Sequence, residues 1–176
     1  MMRRGALGLV AALALGGCGF RPVYMPSAGG AAGPAERNLA AIHVALIPDR
    51  PGQLLRQALQ QRLHGADAST PRRYILTVNY WIAGGGVAIL PNSIPTRIQL
   101  SANAVWTLTA NDGAGTKVTS GYARAQDGVD LFDQQYFAID LNTSTAYHRL
   151  AGAVADDIAL RLAAFFRARA DSRAGS

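Results

Sequence analysis

The sequence predicts an α+β protein, a two-layer sandwich in which a four-stranded, mostly antiparallel sheet carries two helices on one face, in the order β-α-β-β-β-α. Two observations predict this class. Long segments alternate apolar and polar residues with a period of two, which is typical of strands in a sheet covered on one side only. Other segments repeat apolar residues every three or four positions, which is typical of amphipathic helices. Such elements bury their apolar faces most simply as two layers.

The first 17 residues have the pattern of an export signal. Arg3 and Arg4 form a basic start, and residues 6–15 are uncharged and mostly apolar. A basic region, a short apolar stretch and small residues before a cleavage site make a signal peptide. The apolar stretch is too short for a spanning helix, which needs about 20 residues. We therefore expect residues 1–17 to be removed from the mature protein.

Cys18 is the single cysteine of the chain and directly follows Leu15-Gly16-Gly17. This spacing resembles the bacterial lipobox, in which cleavage before the cysteine, here between Gly17 and Cys18, accompanies attachment of lipid, palmitate included. The alternative is an ordinary signal peptide followed by a free or buried cysteine. A lone cysteine in an exported protein forms no internal disulfide, and two or more acyl chains anchor a protein stably. We therefore expect Cys18 to be a covalent lipid anchor.

The segment after the cysteine predicts both location and tether. Gly19 stands where an aspartate would, in the best-known bacterial sorting rule, retain a lipoprotein in the inner membrane, so we expect the periplasmic side of the outer membrane. Residues 21–38 are rich in Pro, Gly, Ala and Ser, a composition typical of flexible linkers. The predicted organisation is thus a lipidated tether at 18–39, one α+β domain at 40–170 and a disordered tail at 171–176.

Charge excludes one class of partner. The chain without its first 17 residues keeps 15 Lys+Arg against 11 Asp+Glu. This modest basic excess is compatible with an anionic lipid or glycolipid. Apart from Arg72-Arg73 there is no basic run, so we expect no nucleic-acid partner.

The first strand and the first helix follow each other closely. Residues 40–47 alternate strongly and weakly apolar side chains, which predicts a strand that ends at Pro48. Residues 52–65 predict an amphipathic helix with Gly65 as its C-terminal cap. Its leucines recur at i, i+4 and i+8: Leu55, Leu59 and Leu63.

Two long alternating segments, 72–84 and 95–110, predict an antiparallel pair, which would place Arg97 near residue 82. Their apolar face carries Tyr74, Leu76, Val78, Tyr80 and Ile82 on one strand, and Ile98, Leu100, Ala102, Ala104, Trp106 and Leu108 on the other. Their second face is mostly polar, with Trp81 among its residues. After an Asn-Asp-Gly turn, residues 116–126 predict the fourth strand.

The last helix is predicted over about 25 residues from Ser144 or Thr145, which can serve as its N-cap. Apolar side chains recur every three or four residues from Tyr147 to Phe166, and arginines cluster near the C-terminal end, where the helix dipole favours cations. Residues 127–143 look polar and irregular.

No catalytic or metal-binding motif is present. The sequence contains no nucleophile elbow, no phosphate-binding P-loop and no zinc signature. The three histidines, His43, His64 and His148, are separated from other ligand types. We therefore expect no catalytic residues, no metal and no cofactor other than the lipid on Cys18. An anchored hydrolase would need a polar cleft built from distant residues.

The connection at 83–97, which contains three glycines, predicts a mobile loop with an apolar tip. Four of its residues are candidates for contact with a partner: Val87, Ile89, Leu90 and Ile94. Exposed apolar patches often mark interfaces. The alternative is a loop that folds back on its own domain.

The residues after the lipobox, Gly-Phe-Arg-Pro-Val-Tyr at 19–24, and the closing "DDIALRLAAFF" helix add a family resemblance. With the β-α-β-β-β-α order, they resemble the lipopolysaccharide-assembly lipoprotein family, LptE, of the alphaproteobacterial type. Members of this family plug a large outer-membrane β-barrel, LptD, in Gram-negative bacteria.

The resemblance implies that this protein helps to assemble such a barrel and to insert lipopolysaccharide into the outer leaflet. By location alone, Arg97, Lys117 and Arg124 are the candidates for contact with lipopolysaccharide, because arginine suits bidentate binding of phosphate. The alternative is a lipoprotein adapter of another envelope transport or secretion complex.

Overall fold

The computed structural model describes residues 33–64, 70–89, 95–130 and 136–174. Its elements, in chain order, are α1 (Pro34–Ala40), β1 (Ile42–Val44), α2 (Asp49–His64), β2 (Tyr74–Ile89), β3 (Pro95–Ala110), β4 (Lys117–Asp130) and α3 (Tyr136–Ala174). The predicted α+β class, with a four-stranded sheet and helices packed against it, is confirmed. The signal peptide, Cys18, Gly65 and residues 175–176 lie outside the described residues.

The sheet has the strand order β1-β2-β3-β4. β1 runs parallel to β2, whereas β2, β3 and β4 form an antiparallel meander. A parallel neighbour needs a long crossover, and α2 supplies it between β1 and β2. The sheet is therefore mixed, with one parallel pair at the β1 edge.

Helices cover one face of this sheet, which we call the covered face. Its buried strand residues are Leu76, Val78, Leu100, Ala102, Ala104, Trp106, Leu108 and Ala123. They pack against a leucine row of α2 (Leu55, Leu59 and Leu63) and against the buried side of α3 (Leu150, Val154, Ile158, Leu162 and Phe166). At the rim, Arg62 of α2 pairs with Asp156 of α3. Every buried side chain among the described residues is apolar by residue type.

The predicted tether and first strand need correction. α1 occupies residues that were assigned to the tether, and its Ala35 and Leu39 are buried in the core. Gly33 precedes it and Pro34 is its first residue, a position where proline costs no hydrogen bond. Residues 34–39, which were assigned to the tether, therefore belong to the folded domain. The first strand keeps only three residues, and Leu46, beyond its end, is 71% exposed.

The predicted loop at 83–97 is mostly strand. β2 continues through Ile89, and Gly84 and Gly86 pair with Leu100 and Ile98. Side chains of β3 occupy the space where a side chain of residue 84 would lie, since a Cβ on Gly84 would be 3.2 Å from Cδ2 of Leu100. The ladder thus overrides the low strand propensity of glycine. Arg97 consequently pairs with Ala88, and the predicted position beside residue 82 was wrong.

Both ends of the last helix also differ from the prediction. α3 begins at Tyr136, and Thr145 lies inside it, where its hydroxyl donates to the carbonyl of Leu141 over 2.8 Å instead of capping the helix. The predicted fourth strand extends from residue 126 to Asp130. Residues 171–174, which were predicted to belong to a disordered tail, are the last residues of α3, which ends at Ala174. Side chains of α3 that bury against the core stabilise a helix longer than its capping signals indicate.

Candidate functional site: the open face of the sheet

The second face of the sheet, which we call the open face, is the candidate site. Successive side chains of a strand point to opposite faces. Odd-numbered residues of β2 up to Gly85 and of β3, and even-numbered residues of β4 from Ser120 to Asp130, therefore point away from the helices. The register shift between Leu108 and Thr109 puts Lys117 opposite Thr109, on the same face. The registers of the strand pairs place these residues side by side. No described helix packs on this face.

Three large apolar side chains form a patch at its centre. Trp81 of β2, Val105 of β3 and Tyr122 of β4 are 44%, 46% and 47% exposed. Val105 is directly opposite Tyr122. Trp81 is opposite Asn103, which is two residues from Val105 along β3, so Trp81 and Val105 are diagonal neighbours. Side chains in such direct and diagonal positions are within contact range, so the three residues make one exposed apolar patch.

A polar network runs beside this patch. The Tyr122 hydroxyl donates to Oδ1 of Asn103 over 2.5 Å. The Asn103 amide donates to the backbone carbonyl of Ser101 over 3.1 Å. The Ser101 hydroxyl accepts from Nη2 of Arg124 over 3.4 Å and from Nε2 of Gln126 over 3.3 Å. The network therefore links Tyr122 and Arg124 through Asn103 and Ser101.

Arg124 is the cation best placed to bind an anion. An arginine has five N–H donors, and Ser101 accepts one of those of Arg124. Among the described residues, no carboxylate forms an ion pair with it. Arg124 follows Tyr122 by two residues on the same face of β4, and its guanidinium extends toward Ser101, which is opposite Gln126. This combination of a free cationic fork and exposed aromatic rings can bind an anionic, partly apolar molecule.

Arg97 is held differently. Its Nη1 is 3.2 Å from Oδ1 of Asp130, and its side chain crosses β4 over Gly128. A Cβ at residue 128 would be 2.5 Å from Nη2 of Arg97. Because Gly128 has no side chain, the guanidinium of Arg97 can lie across the strand at this position. Arg97 also lines an open groove of about 400 Å³, together with Val87, Gln99, Gln126, Asp127 and Gly128.

The three predicted basic residues share the open face, but they do not form one cluster. Lys117 pairs with Thr109 at the far end of β3. Twelve residues of β3 separate Thr109 from Arg97, or roughly 40 Å at about 3.3 Å per residue. Arg124, opposite Asn103, lies about midway. The three cations thus form a line along the sheet, and their contact with lipopolysaccharide stays a prediction.

The predicted partner-contact residues lie on β2 or outside the described residues. Val87 is 54% exposed on the open face, and Ile89 ends β2. Leu90 and Ile94 fall outside the described part of the chain. Val87 therefore lies within β2, at the register shift between Gly86 and Ala88, instead of at a loop tip.

Sequence patterning missed the apolar patch. Trp81 falls on the polar face of its strand, and Val105 interrupts a row of polar residues on β3. A large apolar residue in the polar phase of an alternating strand is the signal that could have found the patch. Only the register shows that Trp81, Val105 and Tyr122 meet.

Asp127, at the edge of this face, is paired with an arginine of α3. Asp127 accepts a hydrogen bond of 2.7 Å from Nε of Arg149 on α3. This bond is the largest cause that lowers the pKa of Asp127, although partial burial opposes it.

Among the described residues there is no group of three potential metal ligands. The described part of the chain also contains no helix with the length and hydropathy needed to cross a membrane.

Three bacterial proteins of known structure are similar to this chain in fold. A protein from Caulobacter crescentus CB15 named as a lipoprotein superimposes with a TM-score of 0.62 at 24% identity, covering 76% of this chain and 96% of its own. A minor lipoprotein from Acinetobacter baumannii gives 0.51 at 15% identity, covering 70% and 88%. An uncharacterised lipoprotein B from Nitrosomonas europaea gives 0.51 at 12% identity, covering 72% and 83%.

The chain has the fold of these lipoproteins. At these identities the likeness concerns the fold alone. No protein-family model matches the chain, and no curated protein sequence matches it significantly.

Proposed function

We propose that this protein is a lipid-anchored protein on the periplasmic side of the outer membrane. In this proposal it pairs with and plugs a large β-barrel of the LptD type, assists the assembly of that barrel, and helps to insert lipopolysaccharide into the outer leaflet. Its anchor is the lipid on Cys18. The shared fold with bacterial lipoproteins supports the anchoring, and the sequence at 15–24 supports the family resemblance.

The single observation that carries the glycolipid part is the open face at Arg124. Arg124, which has no carboxylate partner among the described residues, shares the open face with the exposed side chains of Tyr122, Val105 and Trp81. Phosphate groups bind arginine by charge-assisted, often bidentate hydrogen bonds. Aromatic side chains offer apolar surface with a polar edge. A phosphorylated glycolipid presents the matching combination of anionic groups and apolar surface.

The position of this site also suits a protein that lies inside a larger one. The apolar patch and Val87 are exposed along the length of the sheet. Exposed apolar patches of this kind mark interaction sites. The part of the open face that does not meet the glycolipid would therefore contact the barrel wall.

The first experiment is a pull-down of the lipidated protein from outer membranes in mild detergent, with mass spectrometry of the associated proteins. We expect a large β-barrel in stoichiometric amount. Depletion of the protein should lower both the assembled barrel and the lipopolysaccharide at the cell surface. Recovery of inner-membrane transporter subunits, or unchanged barrel and lipopolysaccharide levels after depletion, would contradict the proposal.

A second experiment tests the site. Binding of purified lipopolysaccharide to the detergent-solubilised protein should weaken about tenfold in Arg124→Gln, since a charge-assisted hydrogen bond contributes on the order of 1.5–3 kcal/mol. Arg169→Gln, an exposed position near the end of α3, is the matched control and should bind as the wild type does. Equal binding by both variants would remove Arg124 from the site.

A further inference from the structure

The outer edge of β4 carries a feature that the glycolipid proposal does not use. β4 is the last strand in the sheet order, and no described strand pairs with its outer side. The strand has 14 residues and contains no proline. Its one register irregularity is near its start, opposite Leu108 and Thr109. Natural proteins usually protect such edges with prolines, short lengths, bulges, charges or a covering element.

The hydrogen bonds show which backbone groups of β4 point outward. The backbone amide of Asn111 donates to the carbonyl of Arg73, on the β2 side of β3. The backbone amide of Ala110 donates to the carbonyl of Thr116, on the β4 side. Because backbone groups alternate along a strand, even-numbered residues of β3 point towards β4. These residues pair with odd-numbered residues of β4, as Ala104 does with Ala123.

The even-numbered residues of β4 therefore point their N–H and C=O groups away from the sheet. Gly128 agrees with this, since its N–H is met from outside by Oδ1 of Asp127 over 2.8 Å. That contact closes the edge at its end. The open stretch then contains Ser120, Tyr122, Arg124 and Gln126, which spans roughly 20 Å at about 3.3 Å per residue.

Two grooves flank the same edge on opposite faces of the sheet. The groove of about 400 Å³ on the open face and a second groove of about 220 Å³ on the helix side share Gln126 and Asp127. The second groove is completed by Arg149, Leu150 and Ala153 of α3. A strand added to β4 would send alternate side chains to the two faces. Each groove would then receive side chains from one of the two alternating sets.

Charge decides between possible occupants. Lys117 and Arg124 are the β4 cations, and neither forms an ion pair with a described carboxylate, whereas Asp127 and Asp130 are each paired with an arginine. A second copy paired antiparallel about Ala123 would place Arg124 within two residues of its own counterpart on the same face. Like charges on neighbouring strands are destabilising. An acidic strand is the complementary occupant.

We propose that the outer edge of β4 at residues 120–126 binds an extended, acidic segment of a partner protein by strand addition. The backbone groups of the four outward residues supply affinity, and the two grooves and Arg124 select the side chains. This inference shares Arg124 with the glycolipid proposal but does not rest on it, because the outward backbone groups of β4 supply the affinity, and Ser120→Pro and hydrogen exchange test those groups without changing Arg124. The two proposals can therefore fail separately.

The test uses the isotope-labelled, lipidated full chain in detergent and a short capped peptide of alternating valine and threonine with two glutamates on one face. NMR-detected hydrogen exchange should show slow exchange at residues 121, 123 and 125 and fast exchange at 120, 122, 124 and 126 in the free protein. The peptide should slow the second set. The same peptide with lysines in place of the glutamates should bind at least about tenfold more weakly, because it loses a charge-assisted contact.

Ser120→Pro and Ser120→Ala form a matched pair. Both remove the hydroxyl, but only proline removes the outward N–H, and proline is tolerated at such edge positions. We expect Ser120→Pro to weaken peptide binding several-fold or more and Ser120→Ala to leave it unchanged. If Ser120→Pro does not fold, Arg124→Glu replaces it and should reverse the preference to the lysine peptide, with Arg169→Glu as its control.

Three results would overturn the proposal. The first is a dimer of the free protein in which residues 120, 122, 124 and 126 already exchange slowly, since that would make a second copy the occupant. The second is peptide binding that leaves the exchange of these residues unchanged. The third is no binding, or equal binding of the glutamate and lysine peptides.

Discussion

The covered and the open face of the sheet come from the same strands, residue by residue in alternation, but their side chains are held in different ways. On the covered face, Leu76 and Leu108 are completely buried against helices. On the open face, Trp81, Val105 and Tyr122 are almost half exposed and a hydrogen-bond network orders the polar residues around them. Apolar packing thus fixes the fold on one face, and the other face is left available for contacts with other molecules.

The largest expected effect comes from truncating one apolar side chain on each face. Leu108→Ala should lower the free energy of unfolding by about 2–5 kcal/mol, because it removes buried atoms and leaves a cavity. Val105→Ala, three residues earlier and exposed, should change it by about 0.5 kcal/mol. Urea unfolding followed by circular dichroism measures both. Equal losses would mean that the open face is covered in the isolated protein.

Adding one methyl group to each face should show the same contrast. A Cβ on Gly121 would lie 2.5 Å from Cζ2 of Trp106, so Gly121→Ala should destabilise by about 1–3 kcal/mol through overpacking. A Cβ on Gly85 would meet no atom within 4 Å, so Gly85→Ala should be neutral or stabilise by up to about 0.5–1 kcal/mol. Thermal unfolding of the pair is the measurement. A neutral Gly121→Ala would show that Trp106 moves aside freely.

The covered face also contains a defect that a mutation can remove. The hydroxyl of Tyr80 and Nε1 of Trp106 are buried without a hydrogen-bond partner among the described residues. A buried unsatisfied polar group costs about 1–3 kcal/mol. Tyr80→Phe should therefore keep or raise the free energy of unfolding, whereas Tyr122→Phe, which loses its bond to Asn103, should lower it slightly. A clear loss in Tyr80→Phe would indicate a bound partner for the hydroxyl.

The pH dependence gives an independent check of Tyr80. Burial, with a smaller contribution from Tyr147, raises the pKa of Tyr80 to about 12, against about 10 for an unperturbed tyrosine. The unfolded chain therefore releases this proton first as the pH rises. The titration of Tyr80 therefore leaves the free energy of unfolding unchanged below pH 10 and lowers it as the pH rises from about 10 to about 12. Over that range, Tyr80→Phe should lose less stability than the wild type.

The smallest expected effect is at the open-face ion pair. Arg97 and Asp130 are both about half exposed, and exposed pairs contribute about 0–1 kcal/mol. Asp130→Asn should lower the free energy of unfolding by less than about 1 kcal/mol, and 1 M salt should abolish the difference by screening. Urea unfolding at low and high salt measures this. A larger loss that persists in salt would mean that Arg97 stabilises the fold through Gly128 instead of through the ion pair.

Alternation predicted the two faces of β2 and β3, because a period of two is a local property of the chain. Leu100, Ala102, Ala104, Trp106 and Leu108 are all buried as that pattern predicts. The leucine row of α2 is confirmed for the same reason. The lengths of the strands were less predictable. The glycines at 84–86 suggested a loop, but pairing with Ile98 and Leu100 keeps them in β2.

The sequence by itself determined the α+β class, the apolar side of each long element and the lipobox-like setting of Cys18, since these depend on neighbouring residues. Only the tertiary structure decided which side chains meet across strands. The patch of Trp81, Val105 and Tyr122, the position of Arg97 over Gly128 and the unpaired edge of β4 all depend on register and strand order. Register is fixed by the packing of one whole face, so no single segment of the sequence contains it.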